Sequence, residues 1–537
     1  MDAEAAAGRY DVVVVGGGHN GLTAAAYCAR AGLSVLVLER AAGVGGAAVS
    51  AEVFPGTGAR LSRYSYLVSL LPARVVRELG LDVRLVRRRW SSWTPDPDDP
   101  ARGLLVDGGD AAATRASLVA VGGTADADGW ETFSRSTATL ARGLWPTLVE
   151  PLRTRAEARA LVGDDAVWDA LVEQPLGAAL AAAVPGDLAR GVLATDGLIG
   201  VSRPLDDETL EVNRCFLLHV VGGGTGHWDV PVGGMGAVSG ALERAARTAG
   251  ARLVTGAEVT AVTPDGEVTA VVGGEEGTAT ARWVLSGVAP SVLEGLLAAG
   301  GADAPAAPVV RPEGAQVKTN LLVRRLPRLL DAGVATGAAF GGTFHVHETA
   351  SRLDAAFAEA AGGRLPSPQP CEVYCHTLAD RSILPPDLDA EGAHTMTVFG
   401  LHVPDALVPA DGPEHDAVRD RLQENVLQAL GSVLAEPVED LLLRDADGRP
   451  CVETRTTKDL ERSLGLPGGH IFHGPLAWPF VEDDDPLGTP AERWGVATRH
   501  PRVLLAGSGA RRGGGVSGLG GHGAAMAVLE AEGLPRP

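Results

Sequence analysis

The feature that most constrains this chain is a glycine-rich segment at residues 10–40, YDVVVVGGGHNGLTAAAYCARAGLSVLVLER. Its run of four valines is too short for a helix and rich in β-branched side chains, which predicts a buried parallel strand. Three glycines follow in the spacing G-x-G-x-x-G, then a predicted helix over residues 22–31, then a second strand that ends at Glu39. This order of elements predicts a βαβ unit that binds a dinucleotide.

Each glycine has its own role in such a unit. Gly16 permits the tight turn, Gly18 lets the backbone approach a pyrophosphate, and Gly21 lets helix and strand pack closely. The pyrophosphate is expected at the helix N-terminus, where free N–H groups and the helix dipole favour an anion. Glu39 is expected to accept hydrogen bonds from the adenosine ribose. A glycine-rich turn without a ligand would not require strand, helix and acid at these positions.

A second glycine-rich turn, at residues 41–48, contains Gly45 and Gly46. In flavin enzymes of the glutathione-reductase-like fold a turn at this place brings the backbone close to the cofactor. A dehydrogenase that binds only NAD has no need of it, so the pair of turns favours FAD. We expect residues 63–71 to pass under the flavin and enter a helix.

Composition and charge exclude several classes of function. The formal net charge is −21 and no basic tract is present, which argues against a nucleic-acid partner. We expect no secretory signal and no spanning helix, hence a cytoplasmic protein, while a peripheral membrane contact stays open. None of the five cysteines forms C-x-x-C, which indicates a reducing compartment and argues against a dithiol flavoenzyme. We also predict no metal site, because no pair of histidines or cysteines has convincing ligand spacing.

The middle of the chain differs in composition and in hydrophobic pattern from the N-terminal segment. Residues 90–100 are rich in proline and aspartate and are predicted to form a loop, whereas residues 124–185 have a helical pattern. Residues 229–300 then predict a helix, a strand, a hairpin and a further strand, which would return the chain to the nucleotide-binding sheet. Val259 in this block is expected near the adenine.

A second strand–glycine loop–helix unit closes the chain. The loop GSGARRGGGVSG begins at Ala506-Gly507 and precedes a helix predicted over residues 517–530. We expect it to lie over the flavin ring, with the helix N-terminus near N1 and the C2 carbonyl, where reduced flavin carries negative charge. The predicted cofactor contacts are Gly16, Gly18, His19, Asn20, Gly21, Glu39, Arg40, Gly45, Gly46, Val259, Gly507, Gly515, Val516 and Ser517.

Lysine is rare in this chain. Of 46 basic residues only Lys318 and Lys458 are lysines. Lys318 lies on a predicted strand over residues 316–324 and is our candidate catalytic residue, facing the flavin; a solvated strand position is the equal alternative. The predicted substrate-pocket residues are Arg63, Tyr64, Tyr66, His473, Trp478 and Phe480. A purely structural role stays open for each of them.

Together these motifs resemble the phytoene-desaturase-related flavoproteins. The segments GGGHNGLTAAAYCARAG, LSRYSYLVSLL, VPVGGMGAVSGAL, GGHIFHGPL and LLAGSGARRGGGVSG carry the resemblance. It is greatest to the pyridine nucleotide-disulphide oxidoreductase domain-containing protein 2 group, and the flavin-type β-carotene ketolases share the G-x-G-H-N-G-L segment. The resemblance implies non-covalent FAD, an α/β fold with a glutathione-reductase-like Rossmann domain, and an interleaved α+β substrate domain.

Placed on the chain, that architecture gives an FAD-binding domain from residues 8–81, 229–300 and 495–537, and a substrate domain from residues 82–228 and 301–494. The resemblance implies hydride transfer from a C–H bond of a small, largely apolar substrate to flavin N5, with oxygen, a quinone or a nicotinamide as the electron acceptor. A flavin amine or amino-acid oxidase is the alternative. A cofactor-free escort protein on the same fold is less consistent with the intact glycine motif and Glu39.

Overall fold

A computed structural model of the protein describes residues 6–307 and 309–536. In chain order the strands are β1 (Gly8–Val15), β2 (Val35–Glu39), β3 (Ser50–Glu52), β4 (Arg60–Ser62), β5 (Leu85–Val86), β6 (Trp90–Asp96), β7 (Asp99–Asp107), β8 (Val230–Pro231), β9 (Arg252–Thr255), β10 (Ala257–Val262), β11 (Glu267–Val272), β12 (Glu275–Ser286), β13 (Val317–Val323), β14 (Thr343–Val346), β15 (Cys371–Tyr374), β16 (His394–Gly400), β17 (Val452–Arg455) and β18 (Val503–Leu505).

The α-helices are α1 (His19–Arg30), α2 (Ala73–Leu79), α3 (Ala111–Gly122), α4 (Thr124–Leu144), α5 (Arg155–Val162), α6 (Asp165–Trp168), α7 (Leu176–Ala183), α8 (Asp187–Ala194), α9 (Glu211–Val220), α10 (Met235–Thr248), α11 (Pro290–Ala299), α12 (Thr336–Ala339), α13 (Ala350–Ala361), α14 (Pro386–Ala390), α15 (Gly412–Gly431), α16 (Thr457–Leu464), α17 (Pro490–Arg493) and α18 (Leu519–Ala531). None of these helices combines the length and the apolar character that crossing a membrane requires.

The first sheet is the predicted nucleotide-binding sheet. Strands β9, β2, β1, β12 and β18 run parallel. Strand β11 pairs antiparallel with the first half of β12, and β10 pairs antiparallel with β11. Because side chains alternate along a strand, the four valines of β1 serve two cores. Val12 and Val14 pack in the core shared with α1, α10 and α18, while Val13 and Val15 pack with Leu293 and Leu297 of α11.

The second sheet has the order β17-β13-β16-β15-β14-β6-β7 and pairs antiparallel except between β14 and β6. Its core includes Trp93, Phe344 and, from α15, Leu422 and Val426. The predicted loop at residues 90–100 is wrong, since β6 and the start of β7 occupy it. The proline and aspartate residues mark the tight connection at Asp96 and Asp99, which pair with each other, so the turn chemistry was assigned to too long a segment.

The helical pattern predicted for residues 124–185 corresponds to α4–α7, and α8 and α9 pack with these helices in one layer. Their core contains Phe133, Trp168, Leu176 and Phe216, and it also receives Phe480 from the C-terminal part of the chain. Residues of this layer and of the second sheet line one cavity. The domain boundaries given above stay a prediction.

Candidate cofactor and substrate site

The first glycine turn joins β1 to α1 and has the geometry that the motif predicts. Gly16 has φ +94°, and a Cβ at Gly21 would lie only 2.1 Å from the Gly16 carbonyl oxygen, so both positions require glycine. Gly18 precedes α1, and no side chain caps this helix. The first-turn amides of α1 therefore remain available for an anion such as a pyrophosphate.

Glu39 at the end of β2 lies directly beside this turn. Its Oε2 accepts a hydrogen bond from Gly17 N at 2.7 Å, and its Oε1 accepts one from Ala41 N at 2.8 Å. These bonds fix the carboxylate next to Gly17. Each carboxylate oxygen can accept a second hydrogen bond, so the group can also receive ribose hydroxyls.

The second glycine turn packs against the first. Gly45 N donates to the Gly17 carbonyl at 2.8 Å, and Gly18 pairs with Gly45 as an isolated bridge. Gly45 has φ +123° and Gly46 has φ +58°. The two glycine turns are therefore in direct backbone contact.

The C-terminal glycine loop contacts the first turn of α1. His19 Nε2 donates to the Gly515 carbonyl at 3.0 Å, and Asn20 Nδ2 donates to the Gly513 carbonyl at 3.1 Å. A Cβ at Gly521 would lie 1.8 Å from the Asn20 carbonyl oxygen, which shows how closely α18 approaches α1. Segments from opposite ends of the chain thus form one site.

The remaining predicted cofactor residues lie on several different elements. Arg40 is exposed and lies beside Gly465, and Val259 is half-buried on β10. Gly507 packs against Gly287, where a Cβ would approach the carbonyl oxygen to 2.5 Å. Val516 packs on the core around α1, and the Ser517 hydroxyl is buried and accepts from Leu519 N at 3.2 Å.

Lys318 is the second residue of β13 and is buried rather than solvated. Its Nζ donates to the carbonyls of Ser62 at 3.0 Å and Tyr64 at 2.6 Å, and it lies 5.1 Å from the Phe399 ring centre. Burial lowers the pKa of this amine well below its usual value, although Glu453 opposes the shift. The amine donates two hydrogen bonds to the backbone of the 62–64 segment.

The predicted pocket residues of the 63–71 segment separate into two groups. Arg63 forms an ion pair with Glu453 of β17 at 2.5 Å, and Tyr64 lies under the Arg455 guanidinium at 5.7 Å, so both face the second sheet. The Tyr66 ring instead lies 4.2 Å from the Tyr374 ring and lines a cavity of about 290 Å³. Of these three, Tyr66 is therefore the one that reaches the cavity.

This cavity has one apolar wall and one polar wall. The apolar wall comes from the helical layer and from the segment before β8, and it consists of Trp130, Phe133, Ile199, Phe216 and Trp228. The polar wall consists of Arg88, Asp196, His345, Glu372 and Tyr374. A second cavity of about 530 Å³ lies alongside and shares Leu67, Arg88 and Tyr374 with the first.

Charge in the polar wall is only partly balanced. Arg88 donates to the Trp228 carbonyl at 3.0 Å and to Thr343 Oγ1 at 3.2 Å. Burial raises the pKa of Glu372 to about 7 and also raises the pKa of Asp196. The wall can therefore exchange protons or bind a cation near neutral pH.

The pocket residues predicted near the C-terminus lie apart from this cavity. His473 has φ +66° and lies beside Gly509, and burial together with His19 and His470 lowers its pKa to about 3. This places His473 near the glycine turns. Trp478 and Phe480 stack at 5.7 Å between ring centres within the helical core, where Phe480 contacts Trp168. The structure thus places these two rings in packing rather than at the cavity.

Sequence reasoning missed the polar wall. Arg88, Asp196 and Glu372 come from three regions that are far apart in the chain, so no local motif contains them. One signal was available: β15 is buried along its whole length, yet it contains Glu372. A carboxylate inside a buried strand indicates a functional or paired group.

The site defines a dinucleotide-binding protein of the flavoenzyme type, and the comparisons with known proteins agree with this class. A family model described as FAD dependent oxidoreductase matches residues 11–103, which include the first two glycine turns and the 63–71 segment. The wild-type putrescine oxidase structure with bound putrescine has a TM-score of 0.55 at 16% identity, and the match covers 98% of this chain and 99% of that one. At this identity the likeness shows the fold.

Two relatives match nearly the whole chain. An uncharacterized protein of Mycobacterium tuberculosis is 54% identical over 529 residues, 97% of each chain. Pyridine nucleotide-disulfide oxidoreductase domain-containing protein 2 of Rattus norvegicus is 31% identical over 569 residues, 97% of this chain and 93% of that protein. This chain therefore belongs to the family of that protein. It is an FAD-dependent oxidoreductase with a Rossmann-type α/β fold, which confirms the predicted fold class and cofactor.

Proposed function

We propose that this protein oxidises a C–H bond of a small, largely apolar organic molecule that binds in the cavity beside Tyr66, in a dehydrogenase or desaturase reaction. The observation that carries the proposal is the path of the 63–71 segment. It is held by Lys318 at one end, and it lines the cavity at Tyr66. The same segment also contacts the second glycine turn, because Ser65 N donates a hydrogen bond to the Ala47 carbonyl.

The chain's own residues account for holding the cofactor. The uncapped N-terminus of α1 and Gly18 would hold the pyrophosphate, Glu39 the ribose, and the 513–517 loop the flavin end. FAD bound there supplies a hydride acceptor at N5. The loop leads directly into α18, whose N-terminal dipole favours the negative charge of reduced flavin.

Substrate binding follows from the two cavity walls. The aromatic side chains Trp130, Phe133 and Phe216 favour an apolar body, because burial of apolar surface contributes about 25 cal/mol per Å². The Arg88 guanidinium and the Tyr374 hydroxyl favour a polar end and would orient the molecule. A substrate with both features is therefore the best fit.

We propose Lys318 as a positioning residue first. Its two donated hydrogen bonds hold the backbone at Ser62 and Tyr64, and this backbone leads to Tyr66. Because burial lowers the pKa of this amine, Lys318 is also a candidate to accept the proton that leaves the substrate when a C–C bond is desaturated. These two roles differ in their pH dependence.

An amine oxidase is the second candidate, and the acidic side of the cavity favours it. Asp196 and Glu372 line the wall to which a protonated amine would bind. Putrescine oxidase shares the fold. A shared fold is compatible with an amine oxidase, but it does not distinguish an amine oxidase from a dehydrogenase or desaturase. Oxidation of an amine with oxygen would release hydrogen peroxide.

Anaerobic reduction of the purified holoenzyme tests both candidates. Compounds with an apolar body and one polar end, and separately a series of primary amines, are added in the absence of oxygen while the flavin absorbance is recorded. The proposal expects bleaching by the first set, and at least tenfold slower bleaching in Arg88→Met than in the exposed control Arg84→Met. Bleaching by amines alone, with peroxide formed on admission of air, would establish the second candidate instead.

A further inference from the structure

Three side chains with metal-binding atoms meet in the second sheet, outside the proposed FAD contacts. His345 of β14 and Glu372 of β15 are direct partners in the strand register, and Glu348 follows the end of β14. The ligand atoms of the three residues all lie within 4.8 Å of one another. His345 Nε2 is 4.0 Å from Glu348 Oε2 and 4.0 Å from Glu372 Oε1.

The set is buried and incompletely satisfied. His345 is 3% exposed, Glu348 0% and Glu372 1%. Within the described residues, neither carboxylate oxygen of Glu348 has a hydrogen-bond partner. A buried carboxylate without a partner is unfavourable unless it binds a proton or a cation.

The surrounding residues hold the other two ligands in place. Thr94 Oγ1 lies 2.8 Å from His345 Nδ1, which orients the ring and directs Nε2 towards the carboxylates. Glu372 accepts from Thr195 Oγ1 at 2.9 Å and from the Tyr374 hydroxyl at 2.6 Å. Hydrogen bonds of this kind typically support metal ligands, because they fix the tautomer and the ligand orientation.

No ion pair explains the two carboxylates in the described part of the chain. Arg88 faces the same cavity, but its hydrogen bonds go to the Trp228 carbonyl and to Thr343 Oγ1. Asp196 lines the cavity too and adds a further carboxylate. The cluster therefore has more potential negative charge than the neighbouring guanidinium can neutralise.

We propose that His345, Glu348 and Glu372 bind a divalent transition-metal ion at the wall of the cavity. One imidazole nitrogen and two carboxylates without a thiolate suit Mn²⁺, Fe²⁺ or Zn²⁺. Ligand atoms on one tetrahedral ion lie about 3.4 Å apart, so the cluster must contract from separations of 4.0 Å for the two His345 pairs and at most 4.8 Å overall. Glu348 can make this movement because no hydrogen bond restrains its carboxylate.

Such an ion would be accessible to molecules in the cavity. His345 and Glu372 both line it, so the remaining coordination positions would face the enclosed space. A water molecule or an oxygen or nitrogen atom of a cavity ligand could occupy them. This inference does not depend on which substrate is oxidised, and it differs from our sequence-based expectation of no metal site.

Metal binding to the full-length holoenzyme tests the proposal. The protein is dialysed against a chelator and titrated with Mn²⁺ and, separately, with Zn²⁺, and bound metal per chain is measured by elemental analysis and, for Mn²⁺, by electron paramagnetic resonance. We expect about one ion per chain. Affinity should fall at least tenfold in Glu348→Gln and in His345→Asn, and stay unchanged in the exposed control Glu391→Gln.

Flavin content and circular dichroism are measured on the same samples, so that loss of the fold is recognised. Folded, flavin-containing wild-type protein that binds neither ion would overturn the proposal, and the carboxyl groups would then be neutralised by protons. Equal affinity in wild type and both variants would overturn it as well, because binding would then be elsewhere. Wild-type stoichiometry decides the question even if a variant fails to fold.

Discussion

His19 Nε2 donates to the Gly515 carbonyl at 3.0 Å, although 496 positions separate the two residues in the chain. The carbonyl can only accept, so the His19 ring must be protonated at Nε2. The bond ties the first turn of α1 to the loop before α18. It makes the cofactor site dependent on contact between the two ends of the chain.

The burial of His19 predicts acid sensitivity, although the hydrogen bond to Gly515 opposes the effect by raising the pKa of the ring. Burial lowers the pKa of His19 to about 4, below the value of about 6.5 expected in the unfolded chain. The unfolded chain therefore binds the proton more readily, and the free energy of unfolding falls as pH falls from about 6.5 to 4. We expect a shallower pH dependence of thermal unfolding in His19→Gln than in wild type. Identical slopes would show that His19 does not contribute.

Replacement of Glu39 should weaken FAD binding. The carboxylate is held beside Gly17 by two backbone amides, and charged hydrogen bonds contribute about 1.5–3 kcal/mol. We expect Glu39→Ala to retain FAD roughly ten- to a hundredfold less tightly, with an unchanged circular dichroism spectrum. FAD titration of flavin-stripped protein measures this, with the exposed Glu258→Ala as control. An unchanged affinity would remove the ribose assignment.

Lys318→Met should destabilise the 62–66 backbone. The substitution keeps much of the volume but leaves the Ser62 and Tyr64 carbonyls without their donor, which costs about 1–3 kcal/mol. We expect a lower Tm and faster loss of FAD. The control Lys458→Met removes the only other lysine of the chain, which pairs with Asp405 away from this segment. Wild-type stability with lost turnover would instead favour proton transfer by Lys318.

The carboxyl cluster predicts an opposite pH effect in metal-free protein. Burial raises the pKa of Glu372 to about 7, and Asp196 adds to the shift while Tyr374, Thr195 and Arg88 oppose it. The folded state then binds the proton more readily than the unfolded chain, so stability falls as pH rises from about 4.5 to 7. Glu372→Gln should therefore raise Tm at pH 8 relative to wild type and change it little at pH 4. An equal change in Tm at both pH values would contradict this assignment.

The cofactor half of the site was predictable because its signals are local. Strand, glycine turn, helix and Glu39 follow one another within residues 10–40, and each has a conformational reason, such as the contact that a Cβ at Gly21 would make with Gly16. The C-terminal loop shares these local signals. The contact of this loop with His19 could be predicted once β18, β12 and β1 were placed parallel in one sheet.

The substrate half was not predictable in the same way. Arg88, Asp196 and Glu372 meet only through the packing of the helical layer on the second sheet, and no sequence spacing reports that contact. Trp478 and Phe480 carry the same apolar signal whether they line a cavity or fill a core, and the structure places them beside Trp168. Lys318 was recognised by composition, but its partners, two backbone carbonyls, leave no signal in the sequence.

The most direct test of this account is the amount of FAD bound per polypeptide in the purified protein. The flavin is released by denaturation and quantified against protein concentration, before and after incubation of the folded protein with added FAD. If the glycine turns from both ends of the chain bind one and the same cofactor, we expect about one FAD per polypeptide. The flavin should be non-covalently bound. A folded, colourless protein that takes up no FAD would contradict it.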